Sequence, residues 1–246
     1  MPTLLQTRGL RLAFGGVVAA DGIDFDLQAG ERLAVIGANG AGKTTFINMV
    51  TGYIKPSAGA IHFDGTDITA KHPRQIVQLG IGRSFQLPQL FLEHTVQQSV
   101  ALAVAARTRR LSLFRSLAKC APPADIHESL ELVGLADRAD DLCSSLPEGH
   151  RKLLDIVMAL MLRPKLLIMD EPTSGVAADE KHGLMKTIMA ALDQRGVTSI
   201  FVEHDADIVT QYATRVAAWI SGRIAADGSP ALVMNNDEVK SVVLGH

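Results

Sequence analysis

The segment Gly37-Ala38-Asn39-Gly40-Ala41-Gly42-Lys43-Thr44 constrains this chain more than any other. It spells G-x-x-x-x-G-K-[ST] between an apolar, β-prone run, Leu33-Ala34-Val35-Ile36, and Thr45 to Val50, which reads as the opening turns of a helix. Gly40 and Gly42 permit a turn tight enough for successive backbone N–H groups to converge on one point. A phosphate held there also meets the positive end of the helix dipole. Lys43 adds a full charge, worth about 4 kcal/mol at ~4 Å in an effective dielectric near ~20. Thr44 supplies a hydroxyl hard enough for Mg²⁺. Residues 37–45 therefore imply a nucleoside triphosphate site. The competing reading, a plain Gly-rich turn, explains neither the lysine nor the setting.

A second feature complements the first. Leu166-Leu167-Ile168-Met169 ends in Asp170-Glu171, the pattern of a buried strand whose tip reaches a site. Asp170 suits a Mg²⁺ ion, directly or through water. Glu171 suits the orientation or deprotonation of an attacking water. Alone, the pair would read as an acidic strand-to-loop transition.

Bulk properties narrow the class. The 246 residues are 47% hydrophobic and 20% charged, ordinary for a globular α/β chain with a sizeable core. A net charge of −2 offers no global attraction to nucleic acid. The longest helical apolar stretch, Val100 to Ala106, is too short to span a bilayer, and no signal peptide is recognisable. Cys120 and Cys143 fit neither a metal spacing nor a disulfide framework. The expectation is a soluble, reduced, cytoplasmic protein.

Along the chain, Leu10, Leu12, Phe14 and then Ile23, Phe25, Leu27 alternate with polar positions around Gly15-Gly16, predicting antiparallel strands. Ile61-His62-Phe63 before Asp64-Gly65 predicts a further strand and turn. Thr95 to Leu162 reads as helical, broken at Pro122-Pro123. Leu166–Met169 and Thr198–Val202 alternate with helical patterns, as in a parallel sheet with crossovers, and Val216–Ile220 with Arg223–Ala226 predict a hairpin at Ser221-Gly222. The predicted fold is α/β: a mostly parallel P-loop core, an N-terminal antiparallel β subdomain and a helical insertion. The division is one domain over 1–246, with 1–86 and 163–246 as core and 87–162 as the helical part.

In order and over nearly the whole chain, these residues resemble the ATP-binding-cassette (ABC) ATPases. The resemblance implies ATP and Mg²⁺ as cofactors, with Thr44, Gln86 and Asp170 toward the metal. It makes Gln86 the glutamine that touches metal and water and senses a membrane subunit, and His204 the histidine at the γ-phosphate. From the residues alone, Gln86 reads better as a solvated side chain, lifted only by its spacing from Lys43, and His204 reads as a surface or core histidine. Phe14 stands where the family stacks an aromatic on adenine; a plain core aromatic reads as well. Glu203, His204 and Asp205 are disfavoured as a metal site, since neighbouring strand residues point to opposite faces. Leu146-Pro147-Glu148-Gly149-His150 stands at the signature loop, which in the family clamps ATP bound to a second subunit.

Phe14-Gly15-Gly16, Arg83 to Leu87 with Leu90-Phe91, and the ending from Asn235 to Gly245 are similar to the ATPases of branched-chain amino acid importers. That branch implies permease subunits, a second ATPase subunit (a paralogue, or a second copy), indirectly a solute-binding protein, no nucleic acid, and a place at the inner face of the membrane. Lipopolysaccharide-export ATPases are close enough to remain an alternative, as does a low-turnover nucleotide-gated module. Four positions depart from the family pattern: Glu148 and His150 in the signature loop, Met158 in the following helix, and Ala177 in the inter-subunit loop. A carboxylate beside a triphosphate is repulsive unless it turns away or pairs, with Arg151 or Lys152 the available cations. Leu87, Leu90, Phe91 and Leu92 suit either an apolar docking surface or core packing, and Arg107, Arg109, Arg110 and Arg115 either a solvated loop or anionic headgroups.

Overall fold

The computed structural model describes residues 2–108 and 122–244. Arg109, Arg110 and Arg115 of the basic stretch, Cys120 and Gly245 lie outside the described residues.

The alternation in the first 30 residues becomes β1 (Thr3–Phe14) and β2 (Val17–Gln28), paired antiparallel with Phe14 opposite Val17. β3 (Arg32–Gly37) leads through the glycine-rich turn into α1 (Lys43–Val50), and β4 (Ala58–Phe63) returns to pair antiparallel with β1 and with the short β5 (Thr66–Asp67). These form a four-stranded sheet in the order β2-β1-β4-β5. Then come α2 (Pro73–Leu79), β6 (Ile81–Ser84), α3 (Val96–Thr108), α4 (Pro123–Glu131) and α5 (Glu148–Met161). After them β7 (Leu166–Asp170), α6 (Lys181–Arg195), β8 (Thr198–Val202), α7 (Ala206–Tyr212), β9 (Arg215–Ile220) and β10 (Arg223–Gly228) follow, then α8 (Pro230–Met234), a short α9 (Asp237–Val239) and a π-helical turn (Lys240–Leu244). The second sheet runs β10-β9-β3-β8-β7-β6, parallel throughout except for the β9–β10 hairpin.

The apolar runs of this sheet are continuous because both its faces are covered. Leu33, Val35, Ile168, Ile200 and Trp219 point into a core shared with the antiparallel sheet and α1. Ala34, Ile36, Met169, Phe201 and Ala218 point the other way, toward α5 and α6. One strand thus feeds two cores by its period of two. Phe46 of α1 is fully buried between Phe25 and Trp219, its ring centroid 5.8 and 5.2 Å from theirs. Helix α1, and with it the glycine-rich turn, is therefore clamped between the sheets. Cys143 is a buried free thiol. No helix among the described residues is long and apolar enough to cross a membrane.

Candidate functional site

The site gathers at the carboxyl ends of β3, β7 and β8, where ligands of open α/β sheets bind. Gly42 has φ 104°, and a Cβ there would lie 2.3 Å from the carbonyl oxygen of Ala19. Glycine alone lets the turn press this closely on β2. The turn from Asn39 to Thr45 lines a cavity of about 150 Å³ with Ala19, Glu171 and Val202. Lys43 is buried there, its Nζ donating to the carbonyls of Gly37 at 2.5 Å and Ala38 at 3.0 Å. Burial lowers its pKa, against the raising pull of Glu171 and Asp170. Thr44 is exposed at the same cavity.

Glu171 is the centre of the opposite wall. It follows β7 with φ 49°, a left-handed conformation costing a non-glycine residue roughly 1–3 kcal/mol. Its amide donates to the Val202 carbonyl at 3.1 Å. Its carboxylate accepts from Gln86 Nε2 at 2.5 Å and lies 3.2 Å from His204 Nε2. Residues 85 and 33 positions away thus converge on one carboxylate.

Asp170 is buried at the end of β7 and takes an ion pair from Arg83 at 3.3 Å. Burial raises its pKa, and the Arg83 charge pulls it back down. Arg83 is itself fixed by Asn48 Oδ1 at 2.6 Å and lies over the rings of Phe85 (4.8 Å) and Tyr53 (5.6 Å). Thr44, Gln86 and Asp170 offer only oxygen donors toward a metal, the hard set Mg²⁺ prefers.

Glu203, His204 and Asp205 diverge. Glu203 is buried and accepts from the Thr173 amide and hydroxyl, whereas Asp205 caps α7. No cluster of three metal-ligating side chains occurs among the described residues.

Phe14 is not a core aromatic. It is 52% exposed at the tip of the β1–β2 hairpin, beside exposed Val17 and Val18, and does not line the 150 Å³ cavity. Leu87, Phe91 and Leu92 are likewise exposed, which excludes core packing for them, while Leu90 packs partly against the core. An apolar groove of about 330 Å³ runs between Tyr53, Ile76, Phe85, Leu102 and Met158, with Arg83, Gln89 and Asp155 in its wall.

In the segment at the start of α5, Leu146 is buried, Pro147 caps the helix and Gly149 faces Val176. Of the two courses open to Glu148, turning away or pairing, the geometry shows no ion pair to Arg151 or Lys152. Arg151 donates to the Ser144 carbonyl at 2.7 Å, and the Lys152 ammonium is committed elsewhere. Glu148 instead lays its Cγ near Gly175, with no ion pair among the described residues. Sequence reasoning assigned no role to Arg83, Asp155, Glu203 or Thr173 and saw Lys152 only as a counter-charge. Burial of a polar or charged side chain marks Lys152, Asp155, Thr173 and Glu203, and only the fold reveals it.

A family profile described as "ABC transporter" matches residues 20–174. Over 98% of this chain, a probable branched-chain amino acid transport ATP-binding protein LivG of Archaeoglobus fulgidus is 35% identical, with 95% of that protein covered. BraF of Pseudomonas aeruginosa, named a high-affinity branched-chain amino acid transport ATP-binding protein, is 30% identical with 98% of each covered. The crystal structure of the ADP conformation of MJ1267, an ATP-binding cassette of an ABC transporter, superposes with a TM-score of 0.87 at 29% identity, covering both chains fully.

Proposed function

This chain belongs to the ABC transporter family as an ATP-binding, ATP-hydrolysing subunit, and from that premise we propose that it powers import of branched-chain amino acids or related small solutes through separate permease subunits. The single observation that carries the catalytic part is the Glu171 carboxylate, held by Gln86 and His204 across the cavity from Lys43. Support for the substrate class comes from relatives named for branched-chain amino acid transport, matched over 98% of this chain. They favour that class over lipopolysaccharide export.

In this reading the turn amides from Gly37 to Thr45 and Lys43 bind the phosphates, and Phe14 stacks on the base. Thr44, Asp170 and Gln86 would hold Mg²⁺, which when bound neutralises charge on the phosphate oxygens. Glu171 orients the attacking water and accepts its proton, and His204 approaches the γ-phosphate. Phosphoryl transfer needs little more than such positioning and charge. The 330 Å³ groove, lined by Phe85 and Gln89 on either side of Gln86 in sequence, receives a cytoplasmic helix of the permease together with the exposed Leu87, Phe91 and Leu92, which keeps the subunit at the inner face of the membrane. Leu146 to His150 complete the site of a second ATPase subunit.

One observation favours asymmetry between the two shared sites. Glu148 makes no ion pair among the described residues, so it brings to the partner's ATP a carboxylate with only the buried Lys152 charge near it. Hydrolysis there is slower than in the site built on Glu171. Glu→Gln substitution at position 171 here, and separately at the partner's equivalent, tests this; equal losses of turnover contradict it.

The transport assignment is tested by assembling the chain with its permease and binding protein in vesicles. Leucine, isoleucine or valine should stimulate ATP turnover severalfold and enter the vesicles in an ATP-dependent way. Turnover indifferent to all three refutes the substrate class.

A further inference from the structure

Helix α5 reaches the catalytic residues through a side chain that neither the phosphate loop nor the metal set accounts for. Lys152, one turn into α5, is 2% exposed. Its Nζ donates to the main-chain carbonyl of Gln86 at 3.0 Å and to that of Glu171 at 3.1 Å. One ammonium thus bonds the backbones of the two residues whose side chains meet at 2.5 Å. Asp155, on the same face of α5, accepts from the neighbouring Phe85 amide at 3.2 Å. The dipeptide Phe85-Gln86 is therefore held at both ends by one helix, at the Phe85 N–H and at the Gln86 carbonyl.

Burying an ammonium is costly unless its donors are used, and here they are used on carbonyls rather than on a carboxylate. A lysine that served only to neutralise charge would sit on one of the acids near it, Glu148, Glu203, Asp155 or Glu171. It bonds two carbonyls instead. At Glu171 that bond also restrains a left-handed backbone, φ 49°, which directs the carboxylate at the cavity.

We propose that Lys152 is a positioning residue for hydrolysis, tying the Gln86 and Glu171 backbones to the helix that begins at Glu148 so that their side chains keep catalytic register. Because the same helix carries Met158 and Asp155 into the 330 Å³ groove, Lys152 also links that groove to the reacting carboxylate. The proposal rests on the ATPase reading of the site.

The test is steady-state ATP turnover of the full chain, with affinity for a fluorescent ATP analogue measured alongside, for Lys152→Arg, Lys152→Gln and Lys152→Met. Misplacing a catalytic group by about 1 Å costs on the order of 10²-fold. Lys152→Met should therefore lose about 10- to 100-fold in kcat while KM and analogue affinity stay within about threefold. Arg, which can donate to both carbonyls, should recover most of the loss, and Gln, with one amide to offer, should fall between. A Lys152→Met variant within about twofold of wild-type kcat overturns the proposal. So does a parallel fall of kcat and nucleotide affinity that arginine does not rescue, the mark of a merely structural lysine. If the Met variant does not fold, Gln turning over as fast as Arg overturns it. Wild-type turnover, and its loss in Glu171→Gln, tests the ATPase reading separately. A wild type without turnover removes both, whereas an active wild type with an indifferent Lys152 removes only this proposal.

Discussion

Substituting Gly42 by alanine separates two costs that the phosphate loop imposes on its glycines. Both Gly42 (φ 104°) and Gly40 (φ 79°) occupy a region unfavourable to L side chains, at about 1 kcal/mol each. A Cβ on Gly40 meets nothing within 4 Å, whereas one on Gly42 would sit 2.3 Å from the Ala19 carbonyl oxygen. That oxygen belongs to β2, which is paired along its length with β1, so relief requires moving the loop away from the sheet. Such forced displacement costs roughly 2 kcal/mol. Gly42→Ala should therefore cost about 3 kcal/mol against about 1 for Gly40→Ala. At this chain length, those values correspond to falls in melting temperature of roughly 6–12 °C and 2–4 °C. Any part of the strain met by moving the loop appears instead as lost ATP affinity, tenfold per ~1.4 kcal/mol. Thermal unfolding with and without ATP, on both variants, measures the sum. Equal destabilisation by the two substitutions, with equal ATP affinity, refutes the close-approach argument.

Two further outcomes follow from the geometry. Phe14→Ala should leave the melting temperature nearly unchanged, since the ring is half exposed, while weakening ATP binding by about 1–3 kcal/mol if the ring stacks on the base; titration calorimetry giving wild-type affinity rules stacking out. Burial raises the Asp155 pKa above its ordinary value near 3.8, so the native state holds a proton that the unfolded chain has released. That stabilising contribution is present at and below pH 3.8 and is lost as pH rises through the native value. The stability of Asp155→Asn relative to wild type should accordingly climb across that window, and urea midpoints showing a flat or falling difference would contradict it.

How much of this was legible beforehand depends on whether the information was contiguous. Residues 37 to 45 carry their own chemistry in one stretch, and the runs at 33–36, 166–169 and 198–202 announced buried strands that the parallel sheet contains. β6 escaped notice because Ile81-Gly82-Arg83-Ser84 is short and neither apolar throughout nor alternating. Helix α2 was missed for a related reason: in seven residues, only Ile76 is buried. The Arg83–Asp170 pair joins residues 87 positions apart, and the Lys152 contacts reach main-chain carbonyls, which leave no mark in the side-chain pattern. Read locally, Leu146 to His150 is a loop before a helix from Arg151 to Leu162, whereas the helix already begins at Glu148, and Lys152 seemed free to answer Glu148. Burial settled the matter otherwise: an ammonium this enclosed takes the acceptors within reach, and those are the carbonyls of Gln86 and Glu171.

The central claim is that the Glu171 carboxylate, oriented by Gln86 and His204, activates water for attack on a phosphate held by the Gly37–Thr44 turn. ATP turnover by Glu171→Gln tests it most directly, because glutamine keeps the shape and loses the base. The variant's kcat should fall about 10²- to 10⁴-fold with ATP affinity preserved; turnover within a few-fold of wild type would contradict the role of the carboxylate.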